Sequence, residues 1–132
     1  MSYDISGYIE VNNYSRWRIV VDLGPILLNA SEESNLLFGL AKFPVDDPNF
    51  GDRGIPENCS PEVLREYKES IKFYEENEEA PACYTYALWS EIKPLINVNN
   101  IKGEWKLVFD LASSISQLFG PDKVRLILRG SW

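Results

Sequence analysis

Arg53 stands between Asp52 and Gly54 in a stretch, Phe43–Pro56, that holds three prolines and two glycines in fourteen residues. A guanidinium offers a planar fork of donors to a carboxylate or phosphate, and glycine lets another backbone come close. So many breakers leave no room for a helix or strand. The stretch reads as a long ordered loop, and long loops in compact domains commonly carry function. Asp52, Arg53 and Gly54 are therefore the first candidate binding residues. The competing reading is an Asp52–Arg53 ion pair inside a turn.

Other chemistry has less support. Counting from Asp46, Gly51 and Glu57 fall at the sixth and twelfth positions of a calcium loop, but Pro48 and Phe50 occupy positions that need side-chain oxygen. Glu91-Ile92-Lys93 and Glu104-Trp105-Lys106 have the Glu-x-Lys spacing used beside nuclease metals. Both sit in expected helices without a carboxylate strand upstream, so they read as solvated helix faces. The chain has no histidine. That excludes a Ser-His-Asp triad and removes the commonest general base and metal ligand. Cys59 and Cys83 are 24 positions apart with no CxxC, which suits reduced thiols and not a zinc site. No glycine-rich phosphate loop is present. No catalytic, metal or cofactor-binding residue is expected, and no cofactor.

Composition sets the frame. The 132 residues suffice for one domain, expected to span 1–132. Apolar residues make up 45%, with six Phe, seven Tyr and four Trp, enough for a core. The net charge is -7, which opposes direct binding to nucleic acid. Residues 57–80 alone hold eight acids and three bases. Met1-Ser2-Tyr3-Asp4 lacks the basic and apolar regions of a signal peptide, and no apolar run is long enough to span a membrane. A cytoplasmic protein without membrane association is expected.

The elements that must position these residues are legible from periodicity. Residues 3–12 alternate, with Tyr3, Ile5, Gly7, Ile9 and Val11 on one side. Residues 17–23 repeat the pattern after the turn Asn13-Tyr14-Ser15-Arg16, so an antiparallel hairpin is predicted. Ser31-Glu32-Glu33 suggests a short capped helix. Ser60-Pro61-Glu62 opens a clear one, with Val63, Leu64, Tyr67, Ile71 and Tyr74 on one stripe and little order expected after Tyr74. A short strand near 83–86 leads into a short helix. A long helix runs from Glu104 to Phe119, stopped by Gly120-Pro121, and residues 123–129 form the last strand. The order predicts an α+β two-layer sandwich. Its mainly antiparallel sheet joins both chain ends and packs against two or three helices.

In that sheet Ile5, Ile9, Val11, Ile19, Val21, Val124, Leu126 and Leu128 point inward, under the two long helices. Asp4, Glu10, Asp22, Arg18, Arg125 and Arg129 point outward, where opposite charges can pair across strands. Tyr8, Val20 and Ile127 interrupt the outward rows. If they converge they form an apolar patch ringed by charge, the anatomy of an interface. They are the second group of candidate binding residues.

Four stretches carry a likeness to known sequences: Ser6–Val11, Arg53–Pro56 leading to Ser60–Val63, Trp89–Ile92, and Val124–Ile127. Together they resemble a group of small uncharacterised proteins of bacteria and their phages. The resemblance implies such an origin and lends no catalytic residues. The resulting expectation is a non-enzymatic protein-binding or accessory module, inhibitor- or immunity-like, whose partner is a protein or a second copy. The alternative is a small hydrolase or transferase using carboxylate, Arg and Tyr side chains, which a cleft gathering Asp46, Asp47, Asp52, Arg53 and Glu57 would favour.

Overall fold

The computed structural model describes residues 3–131. Its strands are β1 (Asp4–Asn13), β2 (Arg16–Asp22), β3 (Leu28–Asn29), β4 (Cys83–Leu88) and β5 (Val124–Ser131). Its α-helices are α1 (Glu32–Phe38), α2 (Pro61–Glu76), α3 (Trp89–Ile92) and α4 (Glu104–Phe119). The fold is α+β, with one antiparallel sheet formed by both chain ends. The strand order is β2-β1-β5-β4, and β3 pairs with the start of β1. No helix among the described residues is long and apolar enough to cross a membrane.

Local chemistry accounts for the element ends. Tyr14 and Ser15 both adopt positive φ, and Asn13 pairs with Arg16. That is the two-residue mirror-image turn whose twist matches a hairpin. Ser31 and Ser34 cap α1 reciprocally. The Ser60 side chain accepts from Val63 N, and Pro61 fills the first helical position of α2. Gly120 closes α4 by donating its amide to the Ser116 carbonyl. The helix α2 continues to Glu76, two residues past the stripe's end at Tyr74.

One sheet face is apolar and carries the core. Ile5, Ile9, Val11, Val124, Leu126, Leu128 and Ala87 pack against Phe38 of α1, Trp89 and Ile92 of α3, and Trp105, Val108, Phe109 and Ala112 of α4. Each fully buried large side chain contributes roughly 1.5–3 kcal/mol. The rings of Phe38, Trp105, Phe109 and Trp89 run in series at centroid separations of 6.2, 5.8 and 6.0 Å.

The other face is not open. There α2 crosses it, where the sequence placed both long helices on the apolar face. The ring of Tyr67 meets Tyr84 edge-on at 5.0 Å, Tyr8 donates its hydroxyl proton to Glu66, and Arg129 donates to the Tyr74 hydroxyl at 3.2 Å. Glu66 is thus turned toward the sheet. Only Val63 of α2 is fully buried, so Tyr, Ser and Glu side chains make most of this contact.

A β-bulge changes the register of β2. Ile9 pairs with Val21 but Glu10 pairs with Ile19, leaving Val20 as the extra residue. A one-residue slip moves every later side chain to the opposite face. Trp17 and Ile19 therefore share the face of Tyr8 and Glu10, and Ile19 leaves the inward set where the sequence had placed it.

Candidate functional site

The two candidate groups end up in different places. Ile127 is buried, at 2% exposure, and pairs with Tyr8 and Tyr86 in the middle of the sheet. Tyr8 lies beneath α2, and its phenol is pushed up by burial and by its hydrogen bond to Glu66. Val20, at 48% exposure, sits alone on the bulge of β2. The three do not converge, so the expected exposed patch does not form. The physical reason is α2, which covers Tyr8 and Ile127 and is held on this face by the contacts of Glu66, Tyr67 and Tyr74 with Tyr8, Tyr84 and Arg129.

The loop before α2 is ordered because it closes one edge of the sheet. Gly54 N donates to the Tyr84 carbonyl at 2.9 Å, and Arg53 Nη1 donates to the Tyr86 carbonyl at 3.3 Å. Thr85, buried in β4, donates its hydroxyl to the Phe50 carbonyl. Arg53 does not pair with Asp52. Its fork grips Glu91 of α3 at 3.1 and 3.0 Å, with its guanidinium carbon 4.8 Å from the centroid of the Phe50 ring. Asp52 is exposed and takes a positive φ at the turn, and Gly54 also has positive φ. These three residues act as a clasp over the outer edge of β4.

The clasp has a pH signature. Arg53's hydrogen bonds, the largest cause, hold the Glu91 carboxyl below the usual glutamate range. A carboxylate depressed by folding contributes stability above its unfolded value and loses it as pH falls through the folded one. The pair is about a third exposed, so its net worth is small. Arg53→Ala should therefore lower global stability by less than about 1 kcal/mol while the hydrogen-exchange protection of the Gly54 amide collapses. In the unaltered chain that protection should fall as pH drops below the ordinary glutamate range. Unchanged protection in the variant would show that Arg53 does not hold the loop.

A second polar cluster was missed as an interior feature. Glu10 and Arg125 face each other across β1 and β5 at 0% and 4% exposure. Arg125 Nε donates to Glu10 Oε1 at 2.8 Å, and Ser60 N donates to Glu10 Oε2 at 2.8 Å. Arg125 Nη1 donates to Asn58 Oδ1 at 2.9 Å, and the guanidinium carbon lies 3.7 Å from the centroid of the Trp17 ring. The cross-strand charge pairing foreseen in the sequence exists, but inside the protein. Alternation marks Glu10 as outward-facing, and it is interior because Asn58 and Ser60, just ahead of α2, cover that face of the sheet. The cluster fixes the start of α2 and the loop before it against the sheet.

Two clefts flank Trp17. One, about 820 Å³, is lined by Arg53, Glu57, Tyr86, Glu91, Asp122 and Arg125 among others. It gathers Arg53 and Glu57 but not Asp46, Asp47 or Asp52, and both arginines are already held by Glu91 and Glu10. The other, about 840 Å³, runs between Ser15–Ile19 and Asn58–Glu62. Cys59 lines it, its thiol pushed up chiefly by burial. Among the described residues no group of three or more His, Cys, Asp or Glu could hold a metal ion. The cysteines are free and half-buried.

The second cleft borders the remaining sheet edge. In a two-residue hairpin the closing pair, Asn13 and Arg16, exchanges both of its hydrogen bonds. Arg16 and Arg18 then bond to β1, and Trp17 and Ile19 turn their N–H and C=O outward. The bond from Leu23 N to the Gly7 carbonyl keeps the same alternation beyond the bulge. Among the described residues no other segment donates to or accepts from this outer edge. The loop thus covers part of the β4 edge, whereas no segment among the described residues bonds to the outer edge of β2. Comparison with known proteins finds no matching family model, no matching curated protein and no matching solved structure, so the residues of this chain are the whole basis for its functional reading.

Proposed function

We propose that this protein is a non-enzymatic binding module that takes an extended segment of a partner protein onto the outer edge of β2. One observation carries the reading: the β4 edge is clasped by Arg53 and Gly54, whereas the backbone of Trp17 and Ile19 is unpaired beside a groove. An added strand gains main-chain hydrogen bonds at such an edge, and the groove receives alternate side chains.

The test is a displayed library of random short segments panned against the protein. Binders should be enriched, and the amides of Trp17 and Ile19 should exchange slowly only when a binder is present. Ile19→Pro removes one outward N–H and no bond to β1, and proline is tolerated on edge strands. It should abolish binding while the fold persists. Binders indifferent to Ile19→Pro, or none at all, would overturn the reading.

A further inference from the structure

The chemistry of the two sides of β2 goes beyond an open edge. Arg16 and Arg18 alternate with Trp17 and Ile19, so the arginines project on one side of the strand and the apolar pair on the other. Both arginines are exposed, and neither joins an ion pair or a side-chain hydrogen bond among the described residues. Arg53, Lys72, Lys106 and Arg125 have a carboxylate within 4.0 Å, whereas Arg16 and Arg18, like several exposed lysines, do not; what sets the two arginines apart is their place side by side on a strand edge. Two adjacent arginines without an ion pair among the described residues, on the outer edge of β2 in an otherwise acidic chain, form a local positive strip. Trp17 and Ile19 are half-buried and line the 840 Å³ groove with Asn58–Glu62, and both arginines border the same groove.

We infer that the occupant of this edge is an extended acidic segment in which carboxylates alternate with apolar side chains. Its carboxylates lie over Arg16 and Arg18, and its apolar side chains enter the groove beside Trp17 and Ile19. This inference rests on the edge-binding reading and adds the partner's chemistry.

A second copy of the chain fits poorly. Only Trp17 and Ile19 face outward before the bulge. Antiparallel self-pairing centred on Trp17 sets Arg16 against Arg18 of the copy. Centring on Arg18 sets that residue against itself. Centring on Ile19 would bring Arg16 opposite Asp22, but the extra residue at Val20 throws the ladder out of phase. Like charges directly opposite destabilise a strand pair.

The experiment uses three short synthetic peptides: an alternating Glu/Val sequence, its Lys/Val counterpart, and a Glu/Val peptide of the same composition with the alternation scrambled. The full chain should bind the first at least about tenfold more tightly than the other two, with affinity falling as salt rises. The double variant Arg16→Glu plus Arg18→Glu lies on the surface and should fold normally. It should reverse the preference toward Lys/Val. Ile19→Pro should abolish binding of both. If Ile19→Pro abolishes binding but charge reversal leaves the preference unchanged, the acidic specificity fails and the open-edge reading survives. If no peptide binds, or binding ignores both changes, both fail and the arginines only shield the edge from aggregation. If the chain dimerises in solution and Ile19→Pro makes it monomeric, the occupant is a second copy and the acidic segment is excluded.

Discussion

Arg125→Met should destabilise the protein by about 3–5 kcal/mol, the cost of leaving one member of a buried ion pair without its partner. The variant keeps a side chain of similar length, so packing changes little. What it leaves behind is Glu10, at 0% exposure, with Ser60 N as its remaining donor. Asn58 Oδ1 loses its donor, and Trp17 loses the cation over its ring. Glu10→Gln tests the same pair from the other side. Its amide still accepts from Ser60 N, but Arg125 is then buried without a counter-charge. The double variant Glu10→Leu plus Arg125→Met should be less destabilised than the sum of the singles, since no charge remains in the interior. Urea unfolding measures all of these. A midpoint for Arg125→Met within about 1 kcal/mol of the parent would show that the pair is freely solvated.

Gly7→Ala should be comparably damaging for a steric reason. Gly7 sits in β1 opposite Leu128 of β5, and a Cβ added there would fall on the carbonyl oxygen of Ile127, far inside van der Waals contact. The obstacle is backbone of the neighbouring central strand and cannot swing aside. The two strands must part, at a cost of about 3 kcal/mol or more. Gly130→Ala is the control. Its added Cβ would meet the ring end of Tyr3, a side chain that can rotate away, so the loss should be smaller. Equal unfolding midpoints for the two variants would refute the distinction between backbone and side-chain obstruction.

Helix starts and stops were readable because they depend on neighbours in sequence. Ser60-Pro61 and Gly120-Pro121 mark their helix ends without reference to the rest of the chain. The sheet's use of both chain ends was readable from alternation. The bulge at Val20 was not, because alternation looks identical on either side of a slip while the faces exchange. The side on which α2 packs was also hidden, since an apolar stripe does not say which sheet face receives it. The face that α2 turns to the sheet joins Val63 to Tyr67, Ser70 and Tyr74, and the buried face of α4 holds Trp105, Val108, Phe109 and Ala112. The first set matches a sheet face bearing Tyr8, Tyr84 and Arg129, the second an aliphatic one. At the site, Arg53 was singled out as a candidate binding residue with Asp52 as the competing partner; its actual partner Glu91 lies 38 positions away and no local pattern links them. Arg16 read only as a turn residue and Arg18 only as one of the outward charges, because alternation does not say that their strand lies at an edge of the sheet.

The central pairing of β1 with β5 also governs the order of assembly. Glu10 and Arg125 are 115 positions apart, and closing a loop of that size costs about 4 kcal/mol of chain entropy before any contact forms. The β1–β2 hairpin, α2 and α4 can form from local contacts. None of them completes the apolar layer until β5 slides between β1 and β4. Refolding should therefore be slow for a chain of this length, as expected where the decisive contacts are distant in sequence. Until that step Ile9, Val11 and Ala87 lack the Val124, Leu126 and Leu128 neighbours beside them. The open interval is when the chain is most exposed to aggregation, because the edges of β1 and β4 that receive β5 are both bare until it arrives.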